Sequence, residues 1–230
     1  DLNMKMGIND FSAKEVINWV KTLNREVKYP IAILLDTQGP EIRTGDIPEP
    51  ILLAKGEVIP IFTTKQKRKE RGVLIDYENL SELLEIGSRL TIDNGLINFE
   101  IIEKSTNELT GRVVDGGSLG SRKHVNLPGL RLSMPAITPK DRDDIEFGIR
   151  HDVDFIALSF VGAASDVEEL REALGAKAKN IKIIAKIEDS LGVSNIAEII
   201  GAADGVMVAR GDLGIETAIA KLPNIQREIV

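Results

Sequence analysis

Two short segments set charged residues where buried strands would end. Lys186-Ile187-Glu188 closes the apolar run that starts at Lys182, and Ala209-Arg210-Gly211-Asp212 follows the run that starts at Gly205. Side chains two apart on a strand share a face, so Lys186 and Glu188 point the same way. If the two runs are neighbouring strands, Glu188 and Asp212 meet at one end of the sheet and offer hard carboxylate oxygens to a divalent cation. Magnesium is the first expectation, because it accepts one or two carboxylates and completes its shell with water and substrate oxygens. Lys186 would then place a positive charge beside a transferring phosphoryl group. A structural Lys–Glu pair closing a strand end accounts for the same residues. Gly211-Asp212-Leu213-Gly214 would leave backbone N–H groups free at a helix start, which suits a carboxylate or phosphate. A plain glycine-containing turn fits it too.

A third segment, Asp36-Thr37-Gln38-Gly39-Pro40-Glu41-Ile42-Arg43, crowds charge and turn residues at the end of another apolar run. Arg43 is a candidate phosphate fork, and Asp36 and Thr37 offer oxygens to a cation. A hinge with solvated charges is the competing account. In Gly120-Ser121-Arg122-Lys123-His124, two adjacent cations precede a tight turn and suit a nucleotide's phosphates, as would an ordinary basic loop. His124 and His151 lie far apart and make no metal motif.

Positioning these groups requires two kinds of element. Ile31–Asp36, Asp154–Phe160, Lys182–Glu188 and Gly205–Arg210 are continuous apolar runs of the kind found in parallel strands buried on both faces. Helix-start signals fall between them: Ser12 with Glu15, Ser165 with Glu168, and Thr138 before Pro139. From residue 154 onward the runs recur at roughly 25 residues, the spacing of βα units. Residues 46–127 read differently. Short alternating stretches at Glu57–Thr63, Val73–Asp76, Arg89–Ile92, Leu96–Ile102 and Glu108–Val114 are separated by turns such as Asp93-Asn94-Gly95. A small all-β domain inserted into an α/β one is expected, with one short helix near Leu80–Glu85. Lys65–Arg71 reads as a solvated charge run.

Composition narrows the partners. A net charge of -7 argues against nucleic acid and against a membrane surface. Cysteine is absent, which excludes disulfides and thiolate metal sites and suits a cytoplasmic protein. No apolar run is long enough to span a bilayer. The α/β portion, residues 1–45 and 128–230, is shorter than the roughly 200 residues that a closed eightfold barrel needs. It reads as an open sheet or as an incomplete barrel, with a further strand ending at Asn3.

Taken together, LDTQGPEIRTG at 35–45, TIDNGLINFE at 91–100, GSRKHVNLPG at 120–129, KIIAKIED at 182–189 and DGVMVARGDLGIE at 204–216 resemble the pyruvate kinase family in order and spacing. The resemblance covers essentially the whole chain. It implies an incomplete (β/α)8 TIM-type barrel carrying an inserted small all-β barrel domain, residues 46–127, as a lid. It also implies phosphoryl transfer from phosphoenolpyruvate to ADP, giving pyruvate and ATP in glycolysis. Carried over by motif, Glu188 and Asp212 bind Mg2+ or Mn2+, and Lys186 stabilises the transferring phosphoryl group. Arg43 contacts phosphate, and the backbone at Gly211 and Asp212 holds the substrate carboxylate. Asn3, Asp36 and Thr37 help bind K+, with Glu41 matching a position tied to potassium dependence, and Lys123 meets nucleotide phosphates. A cytoplasmic homo-oligomer is implied for the full-length form.

The sequence also departs from the family. Asp1, Lys5 and Met6 stand where arginine, serine and histidine are usual, so an ammonium from Lys5 is expected in the place of K+. Gln38 and His124 replace a lysine and a glycine. The first strand of the barrel, its last strands with a threonine near the enolate, and a C-terminal domain are not in the sequence. A barrel short of strands exposes apolar edges, so marginal stability or association is expected of the chain alone. Two other readings follow. One is an inactive or truncated relative that binds metal and phosphoenolpyruvate or acts as a scaffold. The other is a magnesium-dependent barrel lyase, against which the insertion and the 35–45 segment both speak.

Overall fold

The structure is a computed structural model that describes residues 2–3, 12–63, 71–105, 108–130, 134–217 and 219–230. Lys5, with Asp1 and Met6, lies outside the described residues, as does nearly all of the charge run beginning at Lys65. Two compact units are present: Asp1–Pro40 with Ser133–Leu213 and Ala220–Val230, and Glu41–Leu132 with Gly214–Ile219.

The first unit is built on a five-stranded parallel sheet. Its strands are Leu2–Asn3, Leu34–Asp36, Phe155–Leu158, Lys182–Ile187 and Gly205–Val208, in that spatial order. Spatial order follows chain order without reversal, so every crossover adds its strand on the same side. That winding belongs to a barrel rather than to a doubly wound sheet, whose order reverses part-way. Helices Ala13–Leu23, Pro139–Arg150, Ala164–Leu174 and Ile196–Ala202 occupy the connections. Their apolar faces meet the strands in one core that includes Ile17, Leu35, Ile145, Ile156, Leu158, Val167, Leu170, Ile183, Ala185, Ile187 and Ile199. Leu34, Asp36, Ile184 and Lys186 alternate with these and project from the opposite face, where they are half-buried.

Local chemistry fixes the helix starts. Ser12 and Glu15 form the expected capping box, with Ser12 N–H donating to Glu15 Oε2 at 2.8 Å. Thr138 caps Pro139–Arg150 together with Asp141. The Ser165/Glu168 expectation is corrected. The helix begins earlier, at Ala164, and Asp166 Oδ2 accepts the Gly162 and Ala163 N–H groups at 2.8 and 3.0 Å. The run at Ile31–Asp36 yields only Leu34–Asp36, because the Asn24 side chain binds both the N–H and the C=O of Ile31.

The second unit holds a two-stranded sheet, Gly117–Leu119 with Ile51–Leu53, and a seven-stranded sheet in the order Ile42–Arg43, His124–Asn126, Arg89–Ile92, Ile97–Lys104, Glu108–Asp115, Val58–Phe62 and Val73–Leu74. All pairs are antiparallel except the last. Its two edges are tied together: Gly45 N–H donates to Leu74 C=O at 2.8 Å, Asp76 N–H donates to Arg43 C=O at 2.9 Å, and Thr44 bridges Ile75. The helix near Leu80 is short, Leu80–Leu83.

Candidate active site

The C-terminal ends of the parallel strands gather one buried polar cluster. Lys186 Nζ lies 2.9 Å from Ser159 Oγ, 3.0 Å from Asp36 Oδ1 and 3.1 Å from Glu188 Oε1. These four residues come from three adjacent strand ends, brought together by the register that sets Asp36 beside Ala157 and Leu158 beside Ala185. The contact with Ser159 is a hydrogen bond. Asp36 Oδ1, though equally near the ammonium, is buried without an aligned hydrogen bond, so that contact is an ion pair only. Glu188 is 2 % exposed, and its second oxygen accepts the Phe160 N–H at 2.6 Å.

The loops beneath this cluster are tied in turn. Asp141 is fully buried and accepts four hydrogen bonds. Its Oδ1 takes the Gln38 and Gly39 N–H groups at 2.9 and 3.2 Å, and its Oδ2 takes the Thr138 N–H and hydroxyl at 3.0 and 2.6 Å. One carboxylate thus caps a helix and pins the turn after Leu34–Asp36. Gly39 has φ of 70°, and a Cβ there would come within 2.8 Å of Ser159 Cβ, so only glycine fits. Phe160 has φ of 53°, a left-handed conformation costing about 1–3 kcal/mol in a non-glycine residue. Its N–H is the donor that Glu188 accepts. Sequence reading singled out none of Asp141, Ser159 and Phe160. Asp141 was hidden as one more first-turn acid, although its place three residues after Thr138 is a capping-box signal.

Burial dominates the electrostatics. It pushes the Glu188 carboxyl up to about 7, against the Lys186 charge and the Phe160 N–H, which lower it, while the Asp212 carboxylate raises it further. Burial alone would lower the Lys186 ammonium, but the charges of Glu188 and Asp36 outweigh it and hold the group above its ordinary range. The Asp212 carboxylate works against a charge on buried Glu188, and a divalent cation relieves that, so Glu188 and Asp212 fit a magnesium-type ion by chemistry. Among the described residues no group of three or more acidic, histidine or cysteine side chains is placed to hold a metal by itself.

The remaining expected residues are placed as follows. Asp212 and Gly211 fall in the first turn of helix Arg210–Glu216, where N–H groups lack intrahelical partners. Thr37 is buried; its hydroxyl oxygen accepts the Ser159 N–H at 3.0 Å and its C=O accepts the Ser159 hydroxyl at 2.8 Å. Asn3 pairs with Asp36 through the backbone register of the first two strands. Arg43 and Lys123 belong to the second unit, and both are occupied there. Arg43 donates through Nε and Nη2 to Glu41 Oε2 and through Nη1 to Arg122 C=O. Lys123 Nζ lies 2.9 Å from Asp93 Oδ2.

Against known proteins, the profile described as pyruvate kinase, barrel domain, matches residues 2–230. The chain belongs to the pyruvate kinase family. It is 41% identical over 230 residues to plastidial pyruvate kinase 2 of Arabidopsis thaliana, covering 100% of this chain and 40% of that protein. It is 42% identical over 221 residues to the pyruvate kinase of Staphylococcus saprophyticus, covering 94% and 38%. With the Staphylococcus aureus pyruvate kinase it shares 39% over 232 residues, covering 100% and 40%. The chain therefore spans about two-fifths of the length of these relatives. Pyruvate kinases are phosphotransferases, so this is a chain of an enzyme family, and the parallel sheet is its barrel-domain part.

Proposed function

We propose that this chain performs, or in a longer protein contributes to, magnesium-dependent phosphoryl transfer from phosphoenolpyruvate to ADP. The observation that carries this reading is the buried ammonium of Lys186 held among Asp36, Glu188 and Ser159 at the C-terminal strand ends. In the proposal Glu188 and Asp212 hold Mg2+ or Mn2+, which when bound supplies positive charge to the phosphoryl and enolate oxygens. Lys186 then offers its N–H donors to the phosphoryl oxygens as the bond to the enolate oxygen breaks, and needs no covalent step. First-turn N–H groups at Gly211 and Asp212 receive the substrate carboxylate. Asp36, Thr37 and Asn3 form the monovalent-cation position, and the lysine that the sequence has at position 5, where the family has serine, makes K+ dispensable.

In this reading residues 46–127 are an inserted all-β lid whose Lys123 meets nucleotide phosphates, and Arg43, which precedes the insertion, contacts phosphate. Both cations must first exchange their present carboxylates, Asp93 and Glu41, for phosphate oxygens. Closure of such a lid excludes water and suppresses hydrolysis. A glycolytic role, a cytoplasmic location and a homo-oligomeric full-length form belong to the same proposal. One relative is plastidial by name. Among the described residues no helix is long and apolar enough to cross a membrane.

The second reading is a relative that binds metal and phosphoenolpyruvate without turnover, favoured by Asp1 and Lys5 in place of the family's arginine and serine. Pyruvate and ATP formation from phosphoenolpyruvate, ADP and Mg2+, with and without K+, decides between the two, with E188Q as control. Turnover lost in E188Q and indifferent to K+ supports the proposal in full. A strict K+ requirement sinks the role given to Lys5. Metal binding without turnover establishes the second reading.

A further inference from the structure

We propose that Ser159 is a positioning residue: its hydroxyl is the neutral pivot that aims the Lys186 ammonium. The inference rests on the role given to Lys186 above but is carried by different observations. An ammonium has three N–H donors, and three oxygens stand within 3.1 Å of Nζ. Two are carboxylate oxygens, from Asp36 and Glu188. The third, Ser159 Oγ, carries no charge and makes the shortest contact, at 2.9 Å.

The Ser159 hydroxyl is itself fixed. Its proton goes to Thr37 C=O at 2.8 Å, so a lone pair is left facing Lys186. Its N–H is held by Thr37 Oγ1 at 3.0 Å. Gly39 closes the other side, where even a methyl group would come within 2.8 Å of Ser159 Cβ. The residue is 2 % exposed, so water does not compete for the hydroxyl. The next residue, Phe160, is turned into the left-handed region and holds Glu188 through its N–H. One dipeptide therefore steadies both the ammonium and the acid beside it.

The consequence concerns exchange of partners. A phosphoryl oxygen arriving at Lys186 competes with Asp36 and Glu188, because all three draw on the same positive charge. Ser159 keeps its hydrogen bond throughout, so the ammonium turns about a fixed point instead of following the incoming charge. A misplacement of about 1 Å is worth on the order of 100-fold in rate.

The test uses S159A in this chain, with three readouts: steady-state kinetics, the melting temperature, and the NMR order parameter of the Lys186 side-chain terminus without substrate. The expected result is a kcat lowered by about 10- to 100-fold. The KM for phosphoenolpyruvate stays within about twofold, and the order parameter falls toward the mobile range below about 0.6. S159C, with a weaker acceptor of similar size, falls between and replaces S159A if that variant does not fold. An unchanged order parameter overturns the proposal whatever the kinetics show. So does a kcat loss matched by an equal change in KM and a lowered melting temperature, the signature of general loosening. Absent wild-type turnover sinks the phosphotransfer reading of this chain, while a Lys186 loosened by S159A still upholds the pivot.

Discussion

The parallel sheet carries acid–base clusters at both ends. At the C-terminal end half-buried Lys186 sits with Asp36 and with Glu188, and Glu188 is nearly out of contact with water. At the N-terminal end Asp154 Oδ2 accepts the Ile33 N–H at 2.7 Å, and Asp204 Oδ2 accepts the Ile183 N–H at 2.9 Å. Asp204 also pairs with Lys182 and Arg171, and Asp152 with Lys177 and Lys21. Residue types and distances are alike at the two ends, yet the titrations go in opposite directions. Burial works to raise Asp204, but the Ile183 N–H and the Lys182 charge outweigh it, and the carboxyl falls below its ordinary range. Asp152 falls as well, through its hydrogen bond and charge contact with Lys177. Glu188, with a lysine equally close, rises to about 7 because burial wins. Water, more than the partner, sets the sign. The wet end spends its acids on strand N–H groups and so supports the fold; the dry end holds an acid poised to change charge near neutrality.

The largest break in this contrast should come from K186M. It leaves Glu188 buried without its counter-charge, so stability falls by about 3–5 kcal/mol in urea titration. Turnover, where the wild type has it, falls by at least about 100-fold. D141A comes next. It strands the Gln38 and Gly39 N–H groups and uncaps helix Pro139–Arg150, for a loss on the order of 3 kcal/mol by the same measurement. An equal loss on removing Asp152 would erase the distinction between the two ends.

E188Q sharpens the comparison through pH. The folded-state value of about 7 lies above the ordinary 4.5, so protonated Glu188 stabilises the fold fully below pH 4.5. That contribution is lost as pH rises through about 7, on the order of 3 kcal/mol in all. Without divalent cation, the wild type should lose stability between pH 5 and 8, and E188Q should lose less of it. Asp204 has the reverse sign. Its folded-state value is lowered, so its contribution is present above 3.8 and disappears as pH falls below that. D204N should flatten the acid limb, cost about 1 kcal/mol at neutral pH and leave kcat unchanged. A fall in kcat would mean that the two ends are coupled.

Elements whose apolar pattern was unbroken were legible in the sequence. Lys182–Ile187 and Gly205–Val208 emerge as strands with Glu188 and Gly211-Asp212 just beyond them, and the alternation in Arg89–Ile92 and Glu108–Asp115 gives antiparallel pairs. Strand order followed only from the family resemblance, because periodicity carries no information about neighbours. Ser159, Phe160 and Asp141 escaped for a common reason: their roles are hydrogen bonds over long sequence separations. The Gln38 N–H lies 103 residues from Asp141, and the Ser159 hydroxyl lies 122 from the Thr37 C=O. Nothing local distinguishes such a serine from an ordinary one, whereas Asp141 carried a local signal in its place after Thr138, but none of its reach to Gln38 and Gly39. The segment 35–45 read as a unit in sequence, but the compact units part between Pro40 and Glu41, because Ile42–Arg43 pairs with His124–Asn126.

The pairing of Leu34–Asp36 with Phe155–Leu158 also bears on the order of folding. The two strands meet across about 120 residues, as the 121-residue separation of Ile33 and Asp154 shows, whereas Phe155 reaches Lys182 through a loop about a quarter as long. Loop closure costs about 0.6 kcal/mol more for each doubling, so the strands from residue 155 onward have an entropic head start of about 1 kcal/mol. During synthesis Leu34–Asp36 leaves the ribosome long before its partner exists. Asp36 is made about 150 residues before the Lys186 that it meets, and through that interval the edge of Leu34–Asp36 that pairs with Phe155–Leu158 stays open to association.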